Sequence, residues 1–434
     1  MKKIALLNFG CSKNLIDSEL MLGLLAEAGY EITLDENESD IVIINTCAFI
    51  NDAEKESVHA IMEVAQTGKK IIITGCLSQK YKKELKKEIP EISAMLGTSD
   101  YTKIVETIKA LDKKDFVYNI CENPSFIYDE SANRQQITAG ASSYIKIADG
   151  CNCECGYCII PKLRGKYKSR KIENIVAEAE NLVKKGVNEI ILIAQDTTTY
   201  GIDLYGKPCL SKLLKELDKI ENLKWIRIMY AYPSTLNDEL IKVIKNSKKI
   251  VKYIDIPLQH SHPEVLKRMK RPKIDYEKLI NNLRKQIPEI AIRTTFIVGY
   301  PQETEEEFEH LYNFVKKMKF DRLGVFEFSK EKGTYAYSLS GQIPAKIKKS
   351  RKNKIMKLQN KISKELNKNM IEKTIPCIVE AVTEDNTVIL RSQKDAPEID
   401  GLVYAKGEYI PVPGEITEVK ITDYDDYDLY GEIL

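Results

Sequence analysis

Three cysteines stand at short fixed spacing near the middle of this 434-residue chain. Cys151, Cys155 and Cys158 form the run Cys-x3-Cys-x2-Cys, directly after an apolar strand-like segment, Tyr144–Gly150. The run supplies three thiolates where an iron–sulfur cube has four corners, and a fully ligated cube takes four cysteines. Three cysteines therefore predict a cluster in which one iron stays open to bind and activate a small molecule.

Two other interpretations of these cysteines are a zinc knuckle and a set of buried thiols. Zinc normally takes two separated pairs of ligands, and the run is followed neither by a second Cys-x2-Cys nor by two histidines at the usual His-x3-5-His spacing. This favours the cluster without excluding zinc. Cys153 lies between the predicted ligands, and we interpret it as a bystander in the loop.

The composition bounds the class of protein. The chain is 43% hydrophobic and 30% charged, which is typical of a globular protein and excludes a disordered one. The apolar run at the start ends at Asn8, too early for a signal peptide, and no stretch approaches the roughly 20 apolar residues that span a bilayer. We therefore expect a cytoplasmic protein without membrane contact, in which clustered cysteines bind metal more often than they form disulfides.

The first part of the chain alternates short apolar runs with helical patterns, which predicts an open parallel α/β sheet. The predicted strands are Lys3–Asn8, Asp40–Asn45 and Lys70–Thr74. Cys11, Cys47 and Cys76 each lie within three residues of the end of one of these strands, at the sheet edge where such folds bind ligands. One cysteine there would be ordinary packing of a small apolar side chain. Three favour a second iron–sulfur cluster.

A new strand–helix rhythm begins near residue 141 and predicts a partial parallel (β/α)6 barrel. The predicted strands are Tyr144–Ala148, Glu189–Ala194, Trp225–Tyr230, Lys252–Pro257, Ala291–Val298 and Phe320–Phe328. Barrel enzymes place their chemistry at the C-terminal ends of the strands. The loop with three cysteines follows the first strand, which agrees with that rule.

The charge is unevenly distributed towards the C-terminus. Residues 346–373 hold 11 Lys and Arg against 2 Glu, and they predict one or two basic helices. Residues 374–434 hold 14 Asp and Glu against 4 Lys and Arg, in short alternating runs typical of a small β-barrel. We predict three domains, at 1–116, 137–370 and 371–434.

Several motifs give the chain its resemblance to a known family. The spacing of Cys151, Cys155 and Cys158 resembles the signature of radical S-adenosylmethionine enzymes, in which the open iron holds the methionine end of the cofactor. Over its whole length the chain resembles the methylthiotransferases, a three-domain group of such enzymes whose C-terminal module is called TRAM. The matching segments are Gly10–Glu19, Asn45–Ile50, Thr74–Leu77, Ala148–Pro161, Arg164–Gly165 and Ser169–Arg170.

The family has two main branches with different substrates. One acts on a modified adenosine of tRNA, and the other, the RimO type, on the β-carbon of an aspartate in ribosomal small-subunit protein S-twelve. The segments that resemble the RimO type are Cys11–Leu15, Pro257–His260 with Arg268–Arg271, and Asp395–Gly401. The acidic C-terminal domain favours the same branch, since it would repel tRNA and attract a basic ribosomal protein. The basic segment at 346–373 keeps the tRNA alternative open.

The resemblance implies the cofactors and the chemistry. Two [4Fe-4S] clusters are implied, one on Cys151, Cys155 and Cys158 that binds and cleaves S-adenosylmethionine, and one on Cys11, Cys47 and Cys76 that presents a methylated sulfur to a carbon radical. An external electron donor of low potential is required as a partner. The resemblance implies further contacts to S-adenosylmethionine from Tyr157, Gln195 and Arg293.

The remaining histidines and cysteines receive minor assignments. His260 follows the fourth barrel strand and is expected near the barrel mouth. The other histidines are expected at the surface, and three cysteines without partner spacing are expected to be non-ligands; these residues are His59, His262, His310, Cys121, Cys209 and Cys377. Gln302 stands in a turn where relatives usually have Gly.

Overall fold

The structure, a computed structural model, describes residues 2–48, 51–129, 132–137 and 140–434. Phe49 and Ile50 of the motif Asn45–Ile50, and Thr138 and Ala139 near the predicted start of the second domain, lie outside the described residues.

The first unit is a six-stranded parallel sheet in the order β2-β1-β3-β4-β5-β6. Its strands are β1 Lys3–Asn8, β2 Glu31–Thr33, β3 Ile41–Thr46, β4 Lys70–Gly75, β5 Ile92–Leu96 and β6 Val117–Asn119. Strand β3 is buried along its whole length, as in sheets covered on both faces. The three predicted strands are confirmed. Strands β2, β5 and β6 had not been predicted, and β6 lies wholly beyond residue 116.

Helices cover both faces of this sheet. They are α1 Ser12–Glu27, α2 Asn51–Ala65, α3 Cys76–Tyr81, α4 Lys83–Glu88 and α5 Ile104–Ala110, with 3-10 turns at Glu36–Glu38 and Tyr101–Lys103. Helix α1 is unusual because polar side chains near its start are buried, including Lys13, Asn14, Asp17 and Glu19. Burial of so many polar groups requires partners outside the helix, and the partners Lys146, Arg164 and Tyr230 belong to the second unit.

The second unit contains six parallel strands in chain order. They are β7 Ser142–Lys146, β10 Glu189–Ile193, β11 Trp225–Ile228, β12 Tyr253–Asp255, β13 Ala291–Val298 and β14 Arg322–Glu327, and a short hairpin pairs β8 Ala148–Asp149 with β9 Lys168–Ser169. The strands form two three-stranded sheets, β7-β10-β11 and β12-β13-β14. An isolated parallel bridge between Ile226 of β11 and Ile250, just before β12, connects the two sheets. The predicted partial barrel is confirmed. Strand β12 ends before the predicted Pro257, since proline cannot donate to a ladder.

Helices surround the barrel and enclose the largest hydrophobic core of the described chain. They are α6 Ile160–Arg164, α7 Ile172–Lys184, α8 Ile202–Tyr205, α9 Leu210–Leu217, α10 Asp238–Asn246, α11 Pro263–Arg268, α12 Tyr276–Gln286, α13 Glu305–Met318 and α14 Ala345–Lys368, with a 3-10 turn at Tyr335–Ser338. The predicted basic segment is one helix, α14. Its buried side packs Ile355 and Ile362 into the core, and most of its lysines are exposed, whereas Lys348 is half-buried and donates to the carbonyl oxygen of Phe328 at 2.7 Å.

The C-terminal unit is a closed five-stranded barrel in the order β15-β16-β17-β19-β18. Its strands are β15 Thr374–Val382, β16 Val388–Ser392, β17 Val403–Lys406, β18 Ile416–Tyr424 and β19 Leu429–Ile433. The small β-barrel expected from the sequence is confirmed. Strand β19 had not been predicted, because Gly431 interrupts its apolar pattern; a Cβ there would lie 2.4 Å from the carbonyl oxygen of Lys420.

The loop Asp395–Gly401 of the C-terminal unit closes the N-terminal end of the central barrel. Arg322, the first residue of β14, donates from Nε to Asp395 at 2.8 Å, and Tyr253, the first residue of β12, donates to Asp400 at 2.7 Å. Arg391 donates to the buried Glu189 at the start of β10. Acidic and basic groups of the two units therefore neutralise each other at this end, and the opposite end of the barrel is left for chemistry.

Among the described residues, no helix is long and apolar enough to cross a membrane.

Candidate active site

Cys11, Cys47 and Cys76 lie at the ends of three neighbouring strands. Strands β1, β3 and β4 are adjacent in the sheet, and each is followed within three residues by one of these cysteines. Cys11 is exposed, whereas Cys47 and Cys76 are buried. Burial is the main reason that the pKa of the Cys76 thiol is raised to about 12; Arg164 acts against this rise, and the charges of Cys11 and Cys47 contribute to it. The three sulfur atoms are thus close enough to influence one another.

Side chains of the first motif fix the loops that carry these cysteines. Asn14 donates from Nδ2 to Asn45 Oδ1 and to the carbonyl oxygen of Thr46, both at 3.0 Å. Asn45 donates in return to the carbonyl oxygen of Asn14 at 2.8 Å. Gly75 has a φ of +92°, and a Cβ on it would lie 2.4 Å from Asn45 Oδ1. Only glycine therefore fits directly before Cys76.

The second set of cysteines lies in the loop after β8. The backbone N–H of Cys158 donates to the carbonyl oxygen of Cys155 at 3.0 Å, and that of Cys151 donates to Gly165 at 3.1 Å. Gly156 donates to the carbonyl oxygen of Met269 at 2.8 Å and accepts from Ala336 at 2.7 Å. The loop is thus clamped from both sides. Burial raises the pKa of the Cys158 thiol to about 12.

Arg271 lies against this loop. It was not predicted as a site residue from the sequence, although it is the last residue of Arg268–Arg271, a segment that resembles the RimO type. Its Nη1 is 4.0 Å from Cys155 Sγ, and its Nη2 donates to the carbonyl oxygen of Pro257 at 2.8 Å. The guanidinium stacks 4.3 Å from the ring centroid of Tyr232. Its buried Nε has no partner among the described residues. A buried cation directly beside a cysteine is a means of tuning a metal cluster.

A buried ionic cluster joins the two sets of cysteines. Arg164 donates from Nη1 to Asp17 at 2.9 Å and to Asp149 at 3.1 Å, and from Nη2 to Asn14 at 2.9 Å. Lys146 also donates to both carboxylates. Burial acts to raise the pKa of Asp149, but the charges of Lys146 and Arg164 hold it well below its ordinary value. Two cations thus face two carboxylates, which balances the charge.

This cluster connects the two α/β units, because Asn14 and Asp17 belong to α1 whereas Lys146, Asp149 and Arg164 belong to the second unit. A second contact supports the same junction, with Lys13 Nζ 3.0 Å from the ring centroid of Tyr230. Lys13, Asn14 and Asp17 of α1 are therefore partnered, and removing a partner of Lys13 or Asp17 would leave a buried charge uncompensated.

The three predicted contacts to S-adenosylmethionine lie in different surroundings. Tyr157 packs against the small apolar cluster around Tyr300, and burial raises its pKa well above the ordinary value. Gln195 follows β10 and donates to Asp149 at 2.8 Å, while its buried Oε1 has no partner among the described residues. Arg293 donates to Asp255 at 3.2 Å and to Asp400 of the C-terminal loop at 3.3 Å. Of the three, only Arg293 already binds two carboxylates.

The predicted minor residues are placed as follows. His260 is fully buried, and burial lowers its pKa well below the ordinary value. His59 and His310 are exposed, as expected, whereas His262 is half-buried and caps α11 by accepting from the N–H of Glu264. Gln302 has a φ of +66°, in the region that favours glycine, so the turn keeps the conformation expected for relatives.

The residues present fit two iron–sulfur clusters. Among the described residues no three His, Cys, Asp or Glu side chains could hold a single metal ion together, but an iron–sulfur cube spreads its thiolates more widely than one ion does. Each trio consists of soft sulfur donors, which such clusters use. A Cβ added to Gly75 or to Gly156 would meet its neighbours, and one on Gly156 would lie 2.9 Å from the hydroxyl oxygen of Tyr300. Gln195, which donates to Asp149 two residues before Cys151, offers an unused acceptor.

Models of known families match three stretches of the chain. Residues 3–97 match Uncharacterized protein family UPF0004, residues 145–315 match the Radical SAM superfamily, and residues 371–434 match the TRAM domain.

Curated relatives match the whole chain. The chain is 50% identical over 438 residues to "Ribosomal protein uS12 methylthiotransferase RimO" of Thermoanaerobacter sp. (strain X514), with 100% of each sequence covered. It is 51% identical to the protein of the same name from Caldanaerobacter subterraneus subsp. tengcongensis, again with 100% of each covered. The relative of that name from Rippkaea orientalis is 48% identical, with 99% of this chain and 96% of the relative covered.

Solved structures share the fold at low sequence identity. The radical S-adenosylmethionine methyltransferase TsrM from Kitasatospora setae superposes with a TM-score of 0.56 at 13% identity, and 75% of each chain is covered. The cobalamin-dependent radical enzyme OxsB gives a TM-score of 0.51 at 12% identity, with 82% of this chain and 56% of that one covered. These identities support the fold alone. The full-length relatives go further: the chain belongs to the RimO family of ribosomal protein uS12 methylthiotransferases.

Proposed function

We propose that this enzyme attaches a methylthio group to ribosomal protein uS12 by radical S-adenosylmethionine chemistry. Relatives of about half identity over the entire chain carry that name, and the resemblance implies the β-carbon of an aspartate as the site of modification. The observation that carries the proposal is the pair of cysteine trios on two α/β units, with Arg164 held between them.

Membership of the radical S-adenosylmethionine superfamily implies that cofactor and one [4Fe-4S] cluster. We assign the cluster to Cys151, Cys155 and Cys158, with its fourth iron open to the methionine end of the cofactor. When bound, this pair supplies a 5′-deoxyadenosyl radical that removes hydrogen from a C–H bond too weakly acidic for a protein base. The protein contributes binding, orientation and exclusion of water.

The neighbouring side chains have distinct tasks in this assignment. The clamp on Gly156 holds the cysteine loop in one conformation, since its N–H and carbonyl groups are both bonded to other segments. The Oε1 of Gln195, which has no partner among the described residues, would accept a hydrogen bond from the cofactor's amino group, because a buried acceptor requires a donor. Tyr157 offers an aromatic surface beside the loop. Arg293, at the other end of the barrel, is the weakest of the predicted contacts, because its donors already serve Asp255 and Asp400.

The second cluster is a further part of the proposal. Cys11, Cys47 and Cys76 would hold it at the ends of β1, β3 and β4 and present sulfur towards the barrel mouth. The ionic cluster of Arg164, Lys146, Asp17 and Asp149 fixes the first unit against the barrel. Transfer between two sites depends on their separation, so a rigid, buried junction suits this task.

The proposed domains are 1–116, 137–370 and 371–434. The proposed partners are uS12 and an external electron donor of low potential. The proposed location of the enzyme is the cytoplasm. The tRNA alternative is not favoured by the full-length relatives.

Mass spectrometry of a strain lacking the gene tests the substrate. Complementation with the wild-type chain should add one methylthio group to an aspartate-containing peptide of uS12, and Cys155→Ala should fail to add it. Cys377→Ala, in the C-terminal barrel, serves as the control and should keep the modification. A methylthio group that appears on tRNA adenosine instead would overturn the proposal in favour of the other branch.

A further inference from the structure

A cleft of about 1180 Å³ lies on the seam between the first unit and the barrel. Helix α3, which begins at Cys76, lines one side, and helix α6, which begins two residues after Cys158, lines the other. Loops at residues 122–125 and 330–333 complete it. This seam cleft is therefore bordered by the two helices that directly follow a cysteine of each trio.

The backbone of the barrel's cysteine loop forms part of the cleft wall. Ile159, which lines the cleft, is the residue after Cys158. Gly165, also in the lining, accepts the backbone hydrogen bond of Cys151 at 3.1 Å. A Cβ on Gly165 would lie 1.8 Å from the carbonyl oxygen of Pro124, so the barrel is in tight contact with the segment that follows β6 at this point. A molecule bound in the cleft would therefore lie beside the backbone of the loop that carries Cys151 and Cys158.

The charge of the seam cleft is positive. Six lysines and four glutamates line it. Lys80 bridges Glu54 and Glu331, and Lys82 pairs with Glu122, which satisfies three of the four glutamates. The lysines that form no ion pair with any described carboxylate are Lys162, Lys166, Lys330 and Lys332, and all four are exposed. They face one exposed glutamate, Glu84, that also has no ion pair among the described residues.

We propose that the seam cleft is the docking site of an acidic one-electron carrier protein that reduces the cluster on Cys151, Cys155 and Cys158. The inference rests on the proposed function, because cleavage of S-adenosylmethionine consumes one electron. In this step the carrier loses one electron and the cluster gains it; no bond forms or breaks. Four unpaired lysines steer an acidic partner, and a basic substrate such as a ribosomal protein would be repelled from the same place.

The test compares two variants of equal charge change. The cleft variant carries Lys162→Glu, Lys166→Glu, Lys330→Glu and Lys332→Glu. The control variant carries the same Lys→Glu change at four exposed, neighbouring lysines of α14, the helix that packs against α13 and β14. These lysines are Lys346, Lys349, Lys354 and Lys357. The reconstituted full-length enzyme receives electrons either from a reduced acidic flavodoxin or from dithionite, a small reductant that needs no docking site.

The measured quantities are the affinity for flavodoxin and the rate of 5′-deoxyadenosine formation. At low salt the cleft variant should lose about tenfold or more in flavodoxin affinity and in the flavodoxin-driven rate, while the control variant stays near wild type. The loss should shrink at high salt, since exposed charges are screened. With dithionite both variants should match wild type, which also shows that the cleft variant is folded and loaded.

The outcomes separate this inference from the proposed function. If wild type forms no 5′-deoxyadenosine with dithionite, the proposed function fails. If dithionite drives the reaction but the cleft and control variants lose flavodoxin affinity equally, the docking site is wrong. Loss of binding to poly(U) RNA in the cleft variant, with flavodoxin affinity unchanged, would assign the cleft to nucleic acid and likewise overturn the inference.

Discussion

Glu189 is the residue whose removal tests the junction between the barrel and the C-terminal unit. It is fully buried, and its Oε1 accepts from Arg227 at 2.8 Å while its Oε2 accepts from Arg391 of the C-terminal barrel. Ser142 also donates to it at 2.8 Å. Replacing Glu189 with Gln keeps the size of the side chain but leaves two buried guanidinium groups without their shared anion.

The size of the effect follows from the pKa of this carboxyl group. Burial acts to raise the pKa, but the charges of Arg391 and Arg227 outweigh it and lower the pKa from 4.5 to about 2. A lowered pKa means that the ionised group stabilises the fold above the unfolded pKa and that this stabilisation is lost as the pH falls. The difference between the folded and unfolded pKa of Glu189 corresponds to about 3 kcal/mol of folding stability at pH 7, and to about 2 kcal/mol at pH 3.5. Removing one partner of a buried ion pair costs a similar ~3–5 kcal/mol.

Urea unfolding followed by tryptophan fluorescence measures this effect. The chain has one tryptophan, Trp225, which is buried on β11 two residues before Arg227. Glu189→Gln should lower the free energy of unfolding by about 3 kcal/mol at pH 7, and by clearly less at pH 3.5. Glu239→Gln is the control, since its pair with Lys215 is exposed and contributes ~0–1 kcal/mol. A loss below about 1 kcal/mol at pH 7, or one that does not depend on pH, would refute this reasoning.

Three further changes have defined outcomes. Arg271→Gln should lower the midpoint potential of the barrel cluster by tens of millivolts, because loss of a nearby cation disfavours the reduced form; an unchanged or higher potential in an EPR redox titration would contradict this. Cys153→Ala should keep the iron content of the wild type, whereas Cys155→Ala should lose one cluster; equal losses would make Cys153 a ligand. Gly75→Ala should destabilise the fold by more than about 2 kcal/mol, because a Cβ there would clash with its neighbours. Gly68→Ala is the control: Gly68 also has a positive φ, +72°, but has open space around it, so the substitution should cost only the backbone strain of about 1 kcal/mol. Equal shifts in melting temperature for the two variants would argue against a steric role for Gly75.

The strand ends that carry the cysteines could be predicted from the sequence because the signal is local. Buried parallel strands such as Ile41–Thr46 are continuous apolar runs, and the cysteines follow them directly. The adjacency of β1, β3 and β4 also follows the general rule that such sheets gather ligands at one edge. The order of the six barrel strands was equally predictable, since each strand–helix unit is separately visible in the hydrophobic pattern.

The contacts between units could not be predicted, because their partners are distant in the sequence. The burial of Lys13 and Asp17 depends on groups more than a hundred residues away, and no local pattern reports it. The acidic C-terminal unit was interpreted only as a surface for a basic partner. Two of its carboxylates, Asp395 and Asp400, instead pair with barrel arginines. The charge available to a substrate is therefore smaller than the sequence total indicates.

The most direct test of the whole account is the iron and sulfide content of the anaerobically prepared enzyme, wild type against Cys47→Ala. Two cubane clusters predict about eight irons and eight sulfides per chain, falling to about four of each in the variant. The variant should still form 5′-deoxyadenosine from S-adenosylmethionine, because the barrel cluster is intact. About four irons in the wild type, or no difference between the two proteins, would contradict a second cluster on Cys11, Cys47 and Cys76.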